Sequence, residues 1–281
     1  MKLVLDNTPV ETYSVGGRIV HVKREDLCCP YPGPGFSKIR GLQAHLQDSL
    51  VKGIREFAVL DTSTSKAGWG TAYLGAATCV GVTVYYPAKQ GASSLPLNQR
   101  MAEGLGARVI RLDPVARAKI LWHRVAQEWK DKAHAELLPL GLRLNEAVAE
   151  TAAEVRKTSD VMKSGTIVVN VSSGTICAGL LSSLIEQGLT PRALVGVTSH
   201  RLNVEAKRRS IWNKALDYLG FGSSVPPSWF RLEVSDCEYS DACEEPSPFP
   251  CNPWYDRKAW QWLVYNVGNL AEPILFWNIG S

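Results

Sequence analysis

Three short segments carry side chains whose types and spacing suit chemistry on a carbonyl and an anion. In VKREDLCCPYPGPGFSKIRGLQAHL, a Gly/Pro-rich turn delivers Ser37 and Lys38 to the first turn of a helix that begins near Ile39. The positive end of that helix and the neighbouring Arg40 both favour the neutral form of the Lys38 amine, the form that attacks an aldehyde. VNVSSGTICAGLL reads as a strand, a turn and a helix, so Ser172, Ser173, Gly174 and Thr175 offer main-chain N–H groups and hydroxyls to an anion such as a phosphate. LDTSTSKAGWGTAYLGAA repeats the design, with Ser65, Lys66, Ala67, Gly68, Trp69 and Gly70 opening another helix. Singly, each is ordinary: most lysines at helix starts are surface residues, and strand–helix turns are common. Together they supply one placed amine and two anion-holding helix starts.

The elements that must position these residues alternate between strand and helix. EFAVLDTS, GVTVYYPA, ARVIRLDP, GTIVVNVS and RALVGVTS read as buried strands, and KIRGLQAHLQDSLVKG, GTAYLGAATCVG, LPLNQRMAEGLG and CAGLLSSLIEQG as helices. Such alternation predicts an α/β fold with parallel sheets covered by helices. Residues 115–161 read as helical throughout, apart from a break at Leu138-Pro139-Leu140-Gly141. The Pro-, Ser- and acid-rich stretch 223–253 reads as a long ordered loop or lid, followed by a helix in DRKAWQWLVYNVGN and an apolar strand in EPILFWNIGS.

Bulk properties set outer limits. The 281 residues, 45% hydrophobic and 21% charged, suit one large or two modest soluble domains. There is no apolar run long enough for a membrane span, and MKLVLDNTPVETY lacks the features of a signal peptide, so a cytoplasmic protein without membrane contact is expected. The seven cysteines are odd in number and form no CxxC pair; they predict thiols rather than a disulfide framework, and no metal site. A net charge of +4 permits an anionic or nucleic-acid partner, while Arg201, Lys207, Arg208, Arg209 and Lys214 read as a solvated helix face.

One amine with two anion cradles suits pyridoxal 5'-phosphate (PLP), because the coenzyme's phosphate and the substrate's carboxylate both need donors. The segments also resemble the fold-type-II PLP enzymes of the tryptophan synthase β superfamily, especially the branch of 1-aminocyclopropane-1-carboxylate (ACC) deaminase and D-cysteine desulfhydrase. Thr8-Pro9-Val10 is similar to that branch's opening Thr-Pro-Leu, and KREDL followed by SKIRGL to its lysine segment. SKAGWG is similar to the substrate-carboxylate loop, SSGT to the phosphate loop, and NPWYDRKAWQWL and ILFWNIG to the closing segments. The resemblance implies two open α/β domains with mostly parallel twisted sheets and the cofactor in the cleft between them. The larger PLP-binding domain would comprise residues 1–45 and 155–281, and the smaller domain residues 46–154, with the carboxylate loop. It further implies a homodimer, a Schiff base on Lys38, Asp256 on the pyridine nitrogen, and Tyr255 as an acid/base near the substrate Cα.

The departures from the family pattern bear on the reaction. Gly68 stands where relatives have Asn, Trp69 and Lys66 are bulky in the carboxylate loop, and Ser37 replaces the Asn before the lysine. A substrate carboxylate that loses its Asn donor and turns out of the ring plane beside Trp69 is disposed to leave as CO2. In compactness and variant loops the chain is similar to phage PLP decarboxylases of thymidine hypermodification, which act on an amino acid joined to a base in DNA. That resemblance implies decarboxylation of a seryl- or glycyl-thymidine group, within duplex DNA, with Arg208 and Arg209 contacting phosphate. The alternatives are a deaminase, desulfhydrase or racemase on a free amino acid, and a catalytically inactive PLP-fold binding module.

Overall fold

The computed structural model describes residues 3–5, 7–87, 94–112 and 118–281. The expected strand ends at Ala88 and at Asp113-Pro114, and the expected helical residues 115–117, lie outside the described residues. In chain order the strands are β1 (Val10–Val15), β2 (Arg18–Arg24), β3 (Glu56–Leu60), β4 (Gly81–Pro87), β5 (Arg108–Leu112), β6 (Ala135–Leu137), β7 (Thr166–Asn170), β8 (Ala193–Thr198), β9 (Phe230–Val234) and β10 (Ile274–Asn278). The helices are α1 (Lys38–Val51), α2 (Ala67–Thr78), α3 (Leu97–Gly104), α4 (Ala118–Trp129), α5 (Asn145–Lys157), α6 (Asp160–Lys163), α7 (Thr175–Glu186), α8 (Val204–Tyr218) and α9 (Asp256–Asn266). Among the described residues, no helix is long and apolar enough to cross a membrane.

The chain divides into two compact units, the first made of Met1–Val4, Pro30–Pro34 and Ile39–Glu146, the second of Leu5–Cys29, Gly35–Lys38 and Ala147–Ser281. The limits expected from sequence for the smaller body are 46–154. Unit 1 is built on a four-stranded parallel sheet in the order β5-β4-β3-β6. Ala58, Leu60 and Tyr85 from the sheet pack with Leu121, Val125 and Trp129 of α4. These three α4 residues recur at helical spacing and so share one face.

Unit 2 holds a six-stranded sheet in the order β1-β2-β10-β7-β8-β9, parallel except for the β1–β2 hairpin. Its central strands are apolar on both faces because helices cover both. Ile167 and Val169 of β7, with Leu275 and Trp277 of β10, face α7 and α8; Val168 and Phe276 face Trp260 and Leu263 of α9.

Four strands depart from the sequence reading. β6 interrupts the stretch expected to be helical: Ala135, Glu136 and Leu137 favour helix on propensity, but parallel pairing with Glu56–Ala58 of β3 overrides that preference. β9 lies inside the stretch expected to be a loop or lid, paired with β8 at the sheet edge. The β1–β2 hairpin was not expected; Gly16 and Gly17, both at positive φ, make its turn.

Candidate active site

In unit 2, the turn before α1 is fixed by main-chain bonds to the last strand. Phe36 bridges Gly280, and the Ser37 N–H donates to Ile279 O at 2.9 Å. A Cβ at Gly35 would lie 2.7 Å from Asp26 O and 2.6 Å from Ser281 Oγ, so this close approach requires glycine. Lys38 then emerges as the first residue of α1, half-buried, and its Nζ donates to Ser173 Oγ at 2.8 Å. Ser37 is 4% exposed, and its hydroxyl is buried with no hydrogen-bond partner among the described residues.

The loop between β7 and α7 receives that amine. Gly174 adopts φ +84°, and a Cβ there would sit 2.6 Å from Ile211 Cγ1; conformation and space both call for glycine. Ser173 Oγ lies 3.1 Å from Thr175 Oγ1, placing two hydroxyls and the lysine amine beside the first amides of α7. That helix end carries partial positive charge and open donors, a setting for a phosphate. Lys207 of α8 adds a cation: its Nζ donates to Val171 O at 3.2 Å and to Thr198 Oγ1 at 2.9 Å.

Lys207 corrects the reading of the basic run as a solvated face. So does Arg208, whose guanidinium is spent on the fold: it donates to Phe230 O at 2.6 Å, Pro226 O at 3.1 Å and Pro227 O at 2.7 Å, holding the entry to β9. It is therefore a structural clamp, not the phosphate contact expected. Arg201 and Arg209 are exposed beside Glu238 and Glu205.

Asp256, first residue of α9, is only 2% exposed, which separates it from a surface helix-start acid. Its Oδ1 accepts the Ile279 N–H at 3.1 Å. Ile279 thus links the acid through its N–H to the Lys38 segment through its carbonyl. Tyr255 precedes it in a turn built on Asn252, whose carbonyl accepts the N–H groups of Tyr255 and Arg257. Behind this strand end, Asn278 Nδ2 donates to Asp26 Oδ1 at 2.9 Å and to Pro250 O at 2.9 Å, while Arg24 grips both oxygens of Asp26. The roles of Asp26 and Asn278 were not read from sequence.

Ser65–Gly70 form a separate constellation in unit 1. Ser65 Oγ accepts the Ala67 N–H at 3.2 Å, and the Lys66 ammonium lies 5.6 Å from the Trp69 ring centre. The Trp69 indole donates to Pro32 O at 2.9 Å. From α3, Asn98 donates to Ser65 O and Gln99 to Thr62 O, clamping the loop. Asp61 was read from sequence only as the end of a strand. It is buried, accepts N–H groups from Thr62 at 2.9 Å and Gly68 at 2.7 Å, and burial pushes its carboxyl up to about 6.

The chain is similar to several known proteins. Residues 2–232 match the family model described as pyridoxal-phosphate dependent enzyme. A glycyl-dTMP PLP-dependent decarboxylase of Pseudomonas phage M6 is 40% identical over 289 residues, covering 99% of this chain and 100% of the relative. A crystal structure of an ACC deaminase homologue matches with a TM-score of 0.78 and 23% identity, over 99% of this chain and 90% of that one. A hydrogen sulfide-producing enzyme from Fusobacterium nucleatum matches with a TM-score of 0.64 and 16% identity, over 98% and 95% of the two chains. At those identities the two structures speak for the fold alone, and with the family match that fold is the fold-type-II one of PLP enzymes.

Proposed function

The chain belongs to the pyridoxal-phosphate dependent enzyme family, and from that premise we propose that it is a decarboxylase acting on a glycyl group carried by a thymidine nucleotide. The observation that carries this reading is the end-to-end identity of 40% with a decarboxylase named for glycyl-dTMP. PLP, the family's cofactor, fits the residues present. A primary amine, two hydroxyls and a helix N-terminus converge at Lys38, Ser173 and Thr175, and the Ser37 hydroxyl one residue before the lysine, buried without a partner among the described residues, suits a polar group of a bound cofactor.

In this reading Lys38 would hold PLP through its amine, and Ser172, Ser173, Gly174 and Thr175 would hold the cofactor's phosphate with the α7 amides. When bound, PLP would supply an electron sink for a bond at the substrate's Cα. Asp256, its position fixed by the Ile279 N–H, would favour a protonated ring nitrogen. Tyr255 is the proton donor and acceptor at the substrate Cα. Ser65, Lys66, Ala67, Gly68, Trp69 and Gly70 face the substrate's carboxylate, with Trp69 limiting water. The Cα–carboxylate bond breaks, its electron pair stays with Cα and takes up one proton, and CO2 leaves behind an amine. A homodimer in the host cytoplasm, acting on the glycyl group in duplex DNA or in a nucleotide, completes the proposal.

The test is to incubate PLP-loaded protein with glycyl-dTMP, and with DNA bearing the same group, and to weigh the products. Loss of one CO2 with the amine retained is expected; release of ammonia would support a deaminase instead. Lys38→Ala should abolish both the visible absorbance of bound cofactor and turnover. Retained turnover would remove Lys38 from its role.

A further inference from the structure

At the start of α2 the chain supplies an anion of its own. Asp61 directly follows β3 and is 2% exposed. One carboxylate oxygen takes the N–H of Gly68 at 2.7 Å, the other that of Thr62 at 2.9 Å, and the Ser65 hydroxyl donates to it as well. The Ala67 N–H goes to Ser65 Oγ, and the Gly70 N–H to Lys66 O. Two of the donors that a helix N-terminus ordinarily offers to an incoming anion, the Ala67 and Gly68 amides, are therefore already engaged. A Cβ at Gly68 would lie 2.7 Å from Asp61 Oδ2 and 2.6 Å from Val84 Cγ1, so the space behind the loop is filled by the acid. Its partners among the described residues are hydrogen-bond donors rather than cations, so no full opposite charge is paired with it.

We propose that Asp61 is a specificity-determining residue that directs the reaction to decarboxylation, by setting a buried negative charge behind the loop that faces the substrate's carboxylate. The role rests on the reading of Ser65–Gly70 as that loop and of glycyl-dTMP as substrate. Two carboxylates brought close in a partly dry site repel, and the repulsion disappears as one of them becomes neutral CO2. The charge thus raises the bound substrate more than the transition state, which is the requirement for accelerating the step. No co-reactant beyond one proton is needed. The carbon–carbon electron pair remains on Cα and is protonated, and the neutral gas departs.

Binding is read from the visible absorbance of the PLP-loaded protein, by rapid mixing with glycyl-dTMP and, separately, with the amine left after loss of CO2. Asp61→Asn should bind glycyl-dTMP about tenfold more tightly and turn it over about tenfold more slowly, while affinity for the amine stays put. Asp61→Ser, also uncharged, should shift the same ratio. A dissociation constant does not depend on how much protein is folded, so partial misfolding cannot imitate the result. If wild-type protein decarboxylates glycyl-dTMP and both variants leave the substrate-to-amine ratio unchanged, the role of Asp61 is overturned alone. If wild-type protein neither binds nor decarboxylates glycyl-dTMP, the functional reading falls and this role with it.

Discussion

The starts of α7 and α2 have the same local plan, in which a buried parallel strand runs through a polar turn into a helix, yet they are dressed with opposite charge. After β7 the next residue is Val171, and the groups gathered around the following turn are hydroxyls and two lysine amines, Lys38 on Ser173 and Lys207 on Val171 O. After β3 the next residue is Asp61, and its carboxylate takes the amides itself. Backbone geometry makes both helix ends attractive to anions. The side chain one step past the strand decides whether that attraction is offered to a ligand or used up inside the fold.

Moving the acid breaks the contrast most severely. Ser173→Asp would give α7 an internal carboxylate like that of α2, and should weaken PLP retention by about a hundredfold or more, measured by cofactor titration of the absorbance. Unchanged retention would mean that the α7 start does not hold the phosphate.

A second comparison sets the two buried acids against each other. Asp256 and Asp61 both accept main-chain N–H groups, but they are assigned opposite effects on the substrate. Asp256→Asn should cut turnover about a hundredfold with little change in substrate affinity. Asp61→Asn alters affinity as well. If both variants behaved alike in a split of kcat from KM, the distinction between the acids would dissolve.

The smallest effect concerns stability in unit 1. Glu136 hydrogen-bonds His45 and, aided by Glu146, holds its imidazole up to about 9 from an ordinary 6.5, while His45 in turn lowers Glu136 below its ordinary 4.5. The histidine's contribution is full below about 6.5 and lost as pH rises through about 9; that of Glu136 is present above about 4.5 and lost in acid. Melting followed from pH 6.5 to 9.5 should show a modest decline in wild type and a flatter curve in His45→Gln. Parallel curves would remove the staple from the stability of this unit.

Legibility in sequence followed the physical origin of each feature. The Lys38 turn and the Ser172–Thr175 loop could be read because glycines and small hydroxyl residues report backbone geometry directly, as Gly174 shows by its positive φ. β7 and β8 could be read because strands buried on both faces are continuous apolar runs. β6 could not, since three helix-favouring residues become a strand only by pairing with β3. The β1–β2 hairpin carried a usable signal, Gly16-Gly17 between two alternating segments, that went unread. Asp61 looked like an ordinary residue closing a strand; its role depends on Gly68 and Val84 leaving just enough room for it, a fact of packing. Arg208 looked solvent-borne because charge density along a helix does not reveal which guanidinium meets the carbonyls of Pro226, Pro227 and Phe230.

At Ile279 the coupling of Ser37 to Asp256 runs entirely through peptide atoms. Exchanging that side chain for another apolar one that packs against the same core leaves both bonds in place. Losing or gaining a single residue just before it would reverse which way its amide and carbonyl point, and both ends of the coupling would let go together. A change in length is what this coupling cannot absorb.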